Sequence, residues 1–355
     1  MKRSIFTTLL ALAWALSLSA ADYAAGDMLV RWVGRYEVGE QREVRFDWSG
    51  TYADFVFSGA KLEMKVSDTG KNYFNVFVDG VRSVVKTEGK EQNVVLYEGA
   101  HGTHRVRLQR RTEGFNGLTT VHTFATDGTL VADTAPRPTR HIEFIGDSLT
   151  AGYGTDSASG DEPYTAETQN CDFAYGCYVA RYFGADYNLV AHSGQGLVRN
   201  YGDTKQTSEF TMIDRYDQLF DEADKGEEKW KFGSTYTPDL VVIFLGTNDF
   251  STKPWPTYEQ FSEGYEKLIA KVRAAYGEQM PILCVSSYVF EPTFDYVWRI
   301  SHSGDKNLHF ACVLPESFAR PSELGASEHP NRVGQKKFAM LMIPYISTIT
   351  GWSIE

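Results

Sequence analysis

Positive charge is in short supply in this sequence. Its 355 residues hold 35 lysines and arginines against 46 aspartates and glutamates, a formal net charge of −11. That balance repels phosphate backbones and anionic headgroups, so nucleic acid and acidic surfaces are poor partners and a neutral polymer or small neutral ester fits better. Cysteine is scarcer still, limited to Cys171, Cys177, Cys284 and Cys312. No pair has zinc-finger spacing, and the histidines of HGTH, His101 and His104, read as turn and strand residues rather than metal ligands. Cys171 and Cys177 are near enough to close a small loop, yet spacing alone does not establish a bond between them. Cys284, inside the apolar run PILCVSS, reads as a buried thiol. Long hydrophobic stretches are absent apart from the amino-terminal MKRSIFTTLLALAWALSLSA. There Lys2 and Arg3 precede a short apolar run ending in small residues, the pattern of an export signal. Residues 1–21 are therefore set aside from the fold; a periplasmic or extracellular site is expected, with no stable membrane insertion after signal cleavage.

What is present divides into two halves with different periods. From residue 22 to 135 the apolar residues alternate. Val44, Phe46 and Trp48 alternate with Arg45 and Asp47; Leu62, Met64 and Val66 with charges; Val106 and Leu108 with Arg105, Arg107 and Gln109. Alternation of this kind marks half-buried antiparallel strands, and Asp79-Gly80 after NYFNVFV marks a hairpin. Many short strands without a helical pattern predict an N-terminal all-β sandwich of jelly-roll type. The arginine-rich QRRTE, residues 109–113, reads as a solvated strand end.

TAPRPT then interrupts the pattern, and residues 136–355 follow a different rule. IEFIG, YNLVAH, LVVIFLG and PILCVSS are continuous apolar runs, as strands covered on both faces require. Between the last two, Phe261, Tyr265, Leu268, Ile269 and Val272 recur three or four apart, predicting an amphipathic helix that ends at Gly277. Strand and helix alternation predicts an α/β domain with a mostly parallel sheet and its ligands at the carboxyl ends of the strands.

Those strand ends carry the chemistry-bearing residues. IEFIG delivers Asp147-Ser148, YNLVAH leads to Ser193-Gly194-Gln195-Gly196, LVVIFLG delivers Thr247-Asn248-Asp249, and the late SEHPN delivers His329. Ser148 as a nucleophile needs a neighbouring base, for which His329 is the candidate, and the oxyanion it creates needs fixed donors. The Ser148 N–H, a glycine N-H and the Asn248 amide would supply them. Singly, each element also reads as a turn, a cap or a loop histidine. It is the ordered combination that points to a serine hydrolase.

GDSLTAGYG, the Ser193-Gly194 segment, GTND and EHPN together resemble the four blocks of the SGNH, or GDSL-type, hydrolases. The likeness extends over most of residues 141–345 and implies a three-layer catalytic domain. It assigns Ser148 as nucleophile, His329 as base, and Ser148 N–H, Gly194 N–H and Asn248 as oxyanion hole, with Gly196 as the alternative glycine. An all-β domain in front, HSGQGLVRNYG, and GTNDFSTKPWPTYEQF before a long helix are similar to carbohydrate esterase family 2. That resemblance implies removal of acetyl groups from polysaccharides or oligosaccharides such as xylan or mannan, often at the primary 6-O position of hexose units, with no metal or organic cofactor. A short-chain SGNH lipase or esterase, and a catalytically idle glycan-binding protein, are the alternatives.

One departure stands out. The acid that commonly lies three or two residues before the histidine is replaced by Ala326 and Ser327. Glu328 is adjacent to His329 but side chains one apart diverge, which leaves backbone carbonyls, or Glu323, Glu291 or Asp295 brought near by the fold, to orient the imidazole. Tyr153, Phe250, Trp255 and Trp298 are candidate sugar-stacking aromatics, with ordinary packing as the competing role.

Overall fold

The computed structural model describes residues 21–287, 291–314 and 320–354. All but the last residue of the expected export segment lies outside them. The amino-terminal half is an antiparallel ten-stranded sheet wrapped about one apolar core. Its two longest strands, Tyr52–Asp68 and Gln92–Arg110, pair along most of their length, with register shifts beside Gly59 and Leu62 where the sheet bends. Val44, Phe46, Leu62, Met64, Val66, Val106 and Leu108 are buried, as their alternation predicts. Asp79 and Gly80 both have positive φ (51° and 82°) and join two strands directly across the Val78–Val81 pair, the geometry a two-residue hairpin needs. His104 bonds Asp79 at 2.7 Å within this hairpin region.

Two expectations fail at the junction with the second half. Asp47 is fully buried, because its carboxylate caps the backbone N–H groups of Asp221, Glu222 and Ala223 at 2.6, 2.9 and 3.0 Å. Likewise Gln109, Arg110, Arg111, Thr112 and Glu113 are buried rather than solvated. Arg110 donates to the carbonyls of Thr112, Glu113 and Gly117, and Arg111 reaches across to Gln169 O, Glu167 O and Asp156. A charged run reads as solvated in a sequence, but here the Arg110 donors are matched by carbonyls of its own half and those of Arg111 by acceptors of the facing one.

The second half is a five-stranded parallel sheet between two helical layers. In spatial order its strands are Ala185–Ala191, Arg140–Gly146, Leu240–Phe244, Ile282–Ser287 and Leu308–Val313. Phe144, Val242 and Val285 face Tyr175–Phe183 and the long Arg332–Thr350 helix, while Ile145, Ile243 and Cys284 face Tyr258–Tyr276. That last helix begins with a Thr257/Gln260 capping box and ends at Gly277. All four cysteines are free; Cys171 donates to Arg110 O at 3.1 Å, and burial pushes the Cys284 thiol up to about 12. Among the described residues no helix is long and apolar enough to cross a membrane.

Candidate active site

The strand order fixes where a site can form. The direction in which successive strands are added reverses at Arg140–Gly146, whose neighbours are the second strand of this parallel sheet on one side and the third on the other. A crevice opens at such a reversal, beyond the carboxyl ends of the strands. Gly146 lies opposite both Ala191 and Phe244, so the segments that follow these three strands emerge side by side. They carry Ser148, Ser193-Gly194 and Asn248.

Ser148 begins a one-turn helix, Ser148–Ala151, capped by Asp147, whose carboxylate accepts from Leu149 N at 3.0 Å. Glycine is required around it. A Cβ on Gly146 would fall 2.0 Å from Thr150 Oγ1, and one on Gly154 would fall 2.5 Å from Ala326 Cβ. The second of these close approaches seats the His329 loop. His329 Nε2 lies 2.8 Å from Ser148 Oγ, and its Nδ1 lies 3.0 Å from the carbonyl oxygen of Ser327. Tyr153 packs on the imidazole with ring centroids 4.4 Å apart, and Tyr164 stacks on Tyr153 at 4.3 Å.

The carbonyl contact replaces the missing acid. Ser327 and Glu328 both have positive φ, 53° and 60°, and this double left-handed step turns the Ser327 carbonyl onto the ring. Glu328 is exposed, Glu323 pairs with Lys337, and Asp295 pairs with Arg299. Partial burial lowers the His329 pKa, opposed by the backbone carbonyls; among the described residues no carboxylate contributes to raise it.

Gly194 has φ 79° and open space at its Cβ position, and its N–H has no acceptor among the described residues. Gly196 differs: its N–H donates to Asn200 Oδ1 at 3.2 Å, and a Cβ there would meet Arg199 O at 1.9 Å. Asn248 Nδ2 donates to Gln195 O at 2.8 Å and contacts Asp147 Oδ2 at 3.3 Å. Asp249, next to it, accepts from the N–H groups of Leu197, Val198 and Arg199 at 2.9, 2.8 and 2.9 Å, tying the second and third loops together. Burial pushes Asp147 up to about 7 and Asp249 to about 6.

Of the four aromatics singled out in the sequence, only Tyr153 touches His329. Phe250 is buried in the helical layer, Trp255 packs edge-on against it, and Trp298 stacks on His302. Sequence reading missed Tyr164, Gln169 and Glu113. Glu113 carried a signal that was read the wrong way, since a carboxylate at the end of an otherwise well-formed strand is also what a buried cap looks like.

Residues 32–136 match the carbohydrate esterase 2 N-terminal family and residues 144–336 the GDSL-like lipase/acylhydrolase family. The chain belongs to the GDSL-like lipase/acylhydrolase family. Its relatives there are family 2 carbohydrate esterases. It is 30% identical over 331 residues to the cellulase/esterase CelE of Acetivibrio thermocellus, covering 90% of this chain and 39% of that protein. It is 34% identical over 232 residues to an acetylxylan esterase/glucomannan deacetylase of Cellvibrio japonicus, covering 62% of this chain and 61% of that one. The chain thus spans less than two thirds of the length of either. A family two carbohydrate esterase from Clostridium thermocellum, solved in complex with cellohexaose, superimposes with a TM-score of 0.83 at 29% identity, over 91% of this chain and 100% of that one.

Proposed function

We propose that this chain is a serine-dependent carbohydrate O-acetylesterase acting on acetylated polysaccharide or oligosaccharide, exported by its amino-terminal segment. The observation that carries the reading is the 2.8 Å contact between Ser148 Oγ and His329 Nε2 at the sheet's reversal point. The 34% identity to an acetylxylan esterase/glucomannan deacetylase supports the substrate class, and acetylated xylan and mannan are the first candidates, with primary 6-O-acetyl groups available on the hexose units of mannan. His329 Nε2 takes the Ser148 proton as Oγ attacks the acetyl carbonyl carbon. The Ser148 N–H, the Gly194 N–H and the Asn248 amide then hold the negative oxygen of the tetrahedral intermediate. His329 returns the proton to the departing sugar hydroxyl, which leaves an acetyl-serine ester. A water molecule, deprotonated by His329, attacks that ester and releases acetate, and the serine recovers its proton.

Incubation of the mature protein with acetylated xylan and acetylated mannan is expected to release acetate, and Ser148→Ala is expected to abolish release while leaving the circular dichroism spectrum unchanged. Turnover retained by Ser148→Ala would sink the mechanism. Polymer binding without acetate from the parent would identify a glycan-binding protein instead, and a preference for long acyl chains on nitrophenyl esters would identify a lipase.

A further inference from the structure

The turn that carries Gly194 is held from outside its own domain. Glu113 lies just past the end of the sandwich strand Gln92–Arg110, and its carboxylate is fully buried against the catalytic domain. Oε1 accepts from Ser193 N at 2.5 Å, and Oε2 accepts from Ser193 Oγ at 2.7 Å and from Gln169 Nε2 at 2.8 Å. Gln169 in turn contacts the carbonyl of Ala151, the last residue of the helix that Ser148 begins, at 3.3 Å. Glu113 therefore ties together two walls of the crevice, the turn after the second strand and the nucleophile helix after the first.

We infer that Glu113 is a positioning residue for the oxyanion site, supplied by the sandwich domain, which makes that domain part of the catalytic apparatus rather than an attachment. The inference rests on the esterase reading above. Its logic is one of degrees of freedom. Gly194 can rotate about φ at little steric cost, and open space surrounds its Cβ position. An N–H aimed at a developing oxyanion must nevertheless be fixed before the reaction, since a donor that has to reorient stabilises it less. Three contacts fix it: Tyr201 N–H donates to Gly194 O at 2.8 Å, Gln195 N–H to His192 O at 3.3 Å, and the Ser193 N–H and hydroxyl to Glu113. The last two both hold the peptide plane immediately before Ser193, Gln195 through its carbonyl and Glu113 through its N–H, and of the three only the Glu113 contact comes from the sandwich domain. Glu113 is itself immobilised: Arg110 grips its carbonyl, and Arg111 beside it is bonded to Gln169 O and Glu167 O.

The test measures kcat and KM separately with p-nitrophenyl acetate for the parent, Ser148→Ala, Glu113→Ala, Glu113→Gln and Ser193→Ala, with thermal midpoints alongside. Loss of an oxyanion donor costs about 10²–10³ in kcat. Glu113→Ala is therefore expected to lower kcat on the order of 10²-fold with KM within about threefold of the parent. Glu113→Gln keeps an acceptor for the Ser193 N–H and is expected to recover much of that loss. If Glu113→Ala does not fold, Ser193→Ala carries the test, because it removes one bond and no backbone donor; about a threefold to tenfold fall in kcat at constant KM supports the inference and an unchanged kcat overturns it. A kcat unchanged in a folded Glu113→Ala also overturns it, as does a loss that Glu113→Gln fails to recover. Parent turnover that survives Ser148→Ala defeats the esterase mechanism itself, whereas Ser148-dependent turnover indifferent to Glu113 defeats only this inference.

Discussion

At the scale of single residues, the site turns on what faces Nδ1 of His329. A carboxylate there would raise the imidazole pKa, while a neutral carbonyl in a partly buried setting leaves desolvation in command, and the shift is downward. A histidine NMR titration is accordingly expected to place the His329 midpoint below the ordinary value of about 6.5. A midpoint above that value would mean that an anion holds Nδ1. The sign follows: a lowered pKa leaves Nε2 unprotonated, and able to accept the Ser148 proton, to lower pH than an ordinary imidazole. Because Glu328 is exposed and makes no contact with the ring, Glu328→Gln should change kcat/KM by less than about threefold, against a loss of about 10³ or more for His329→Ala. Steady-state kinetics on the two variants separates these roles. The absence of an acid at Ala326 and Ser327 was legible in the sequence. A backbone carbonyl was among the replacements the sequence left open; which carbonyl was not legible, because it is aimed by a pair of left-handed backbone conformations at Ser327 and Glu328, residue types that give no hint of positive φ.

At the scale of elements, three of the four site segments were legible because each sits at the end of a strand whose apolar run is unbroken, and such runs admit few other readings, while the His329 segment immediately precedes the C-terminal helix Arg332–Thr350. The recurrence of glycine after Ser148 was legible as a pattern but not as a cause. Its cause is contact between segments far apart in the chain. Gly154 (φ 62°) packs on Ala326, and a Cβ on Gly325 would fall 2.3 Å from Gly154 O, so the backbones of the Ser148 and His329 loops touch directly. Gly154→Ala must either push the His329 loop away or strain its own backbone. Displacement of a catalytic group by about 1 Å costs roughly 10²-fold in rate, and overpacking about 1–3 kcal/mol. Gly154→Ala is therefore expected to lose both activity and stability on these scales. Gly277→Ala, also at positive φ but with open space around it at the end of a long helix, should lose only about 1 kcal/mol and no activity. Denaturant melts and kcat/KM for the pair distinguish contact from backbone strain; equal activity losses would mean that the approach of the two loops is not what matters.

At the scale of the whole molecule, the two halves were legible as separate period classes, but the way they join was not. Polar residues that alternate along a strand read as solvent-facing, whereas here Asp47, Gln109 and Glu113 are the residues that meet the second half. The apolar part of the junction is deeper than a surface contact. Val33 and Tyr52 belong to the core on one face of the parallel sheet, and Trp48 to the core on the other, with its Nε1 donating to Leu219 O at 2.8 Å. Unfolding the sandwich would therefore empty positions in both cores of its neighbour and leave the caps on residues 221–223 unmade. Two units linked in this way should melt as one. Calorimetry of the parent is expected to show a single transition, and Trp48→Ala, a truncation that costs about 3–5 kcal/mol in a core, should move that whole transition downward by on the order of 10 °C without splitting it. Two resolved transitions in the parent, with only the first moved by Trp48→Ala, would mean that the sandwich folds apart from the hydrolase half. It would then be free to rock against it, and a carboxylate delivered from the sandwich could not hold the Ser193–Gly194 turn still.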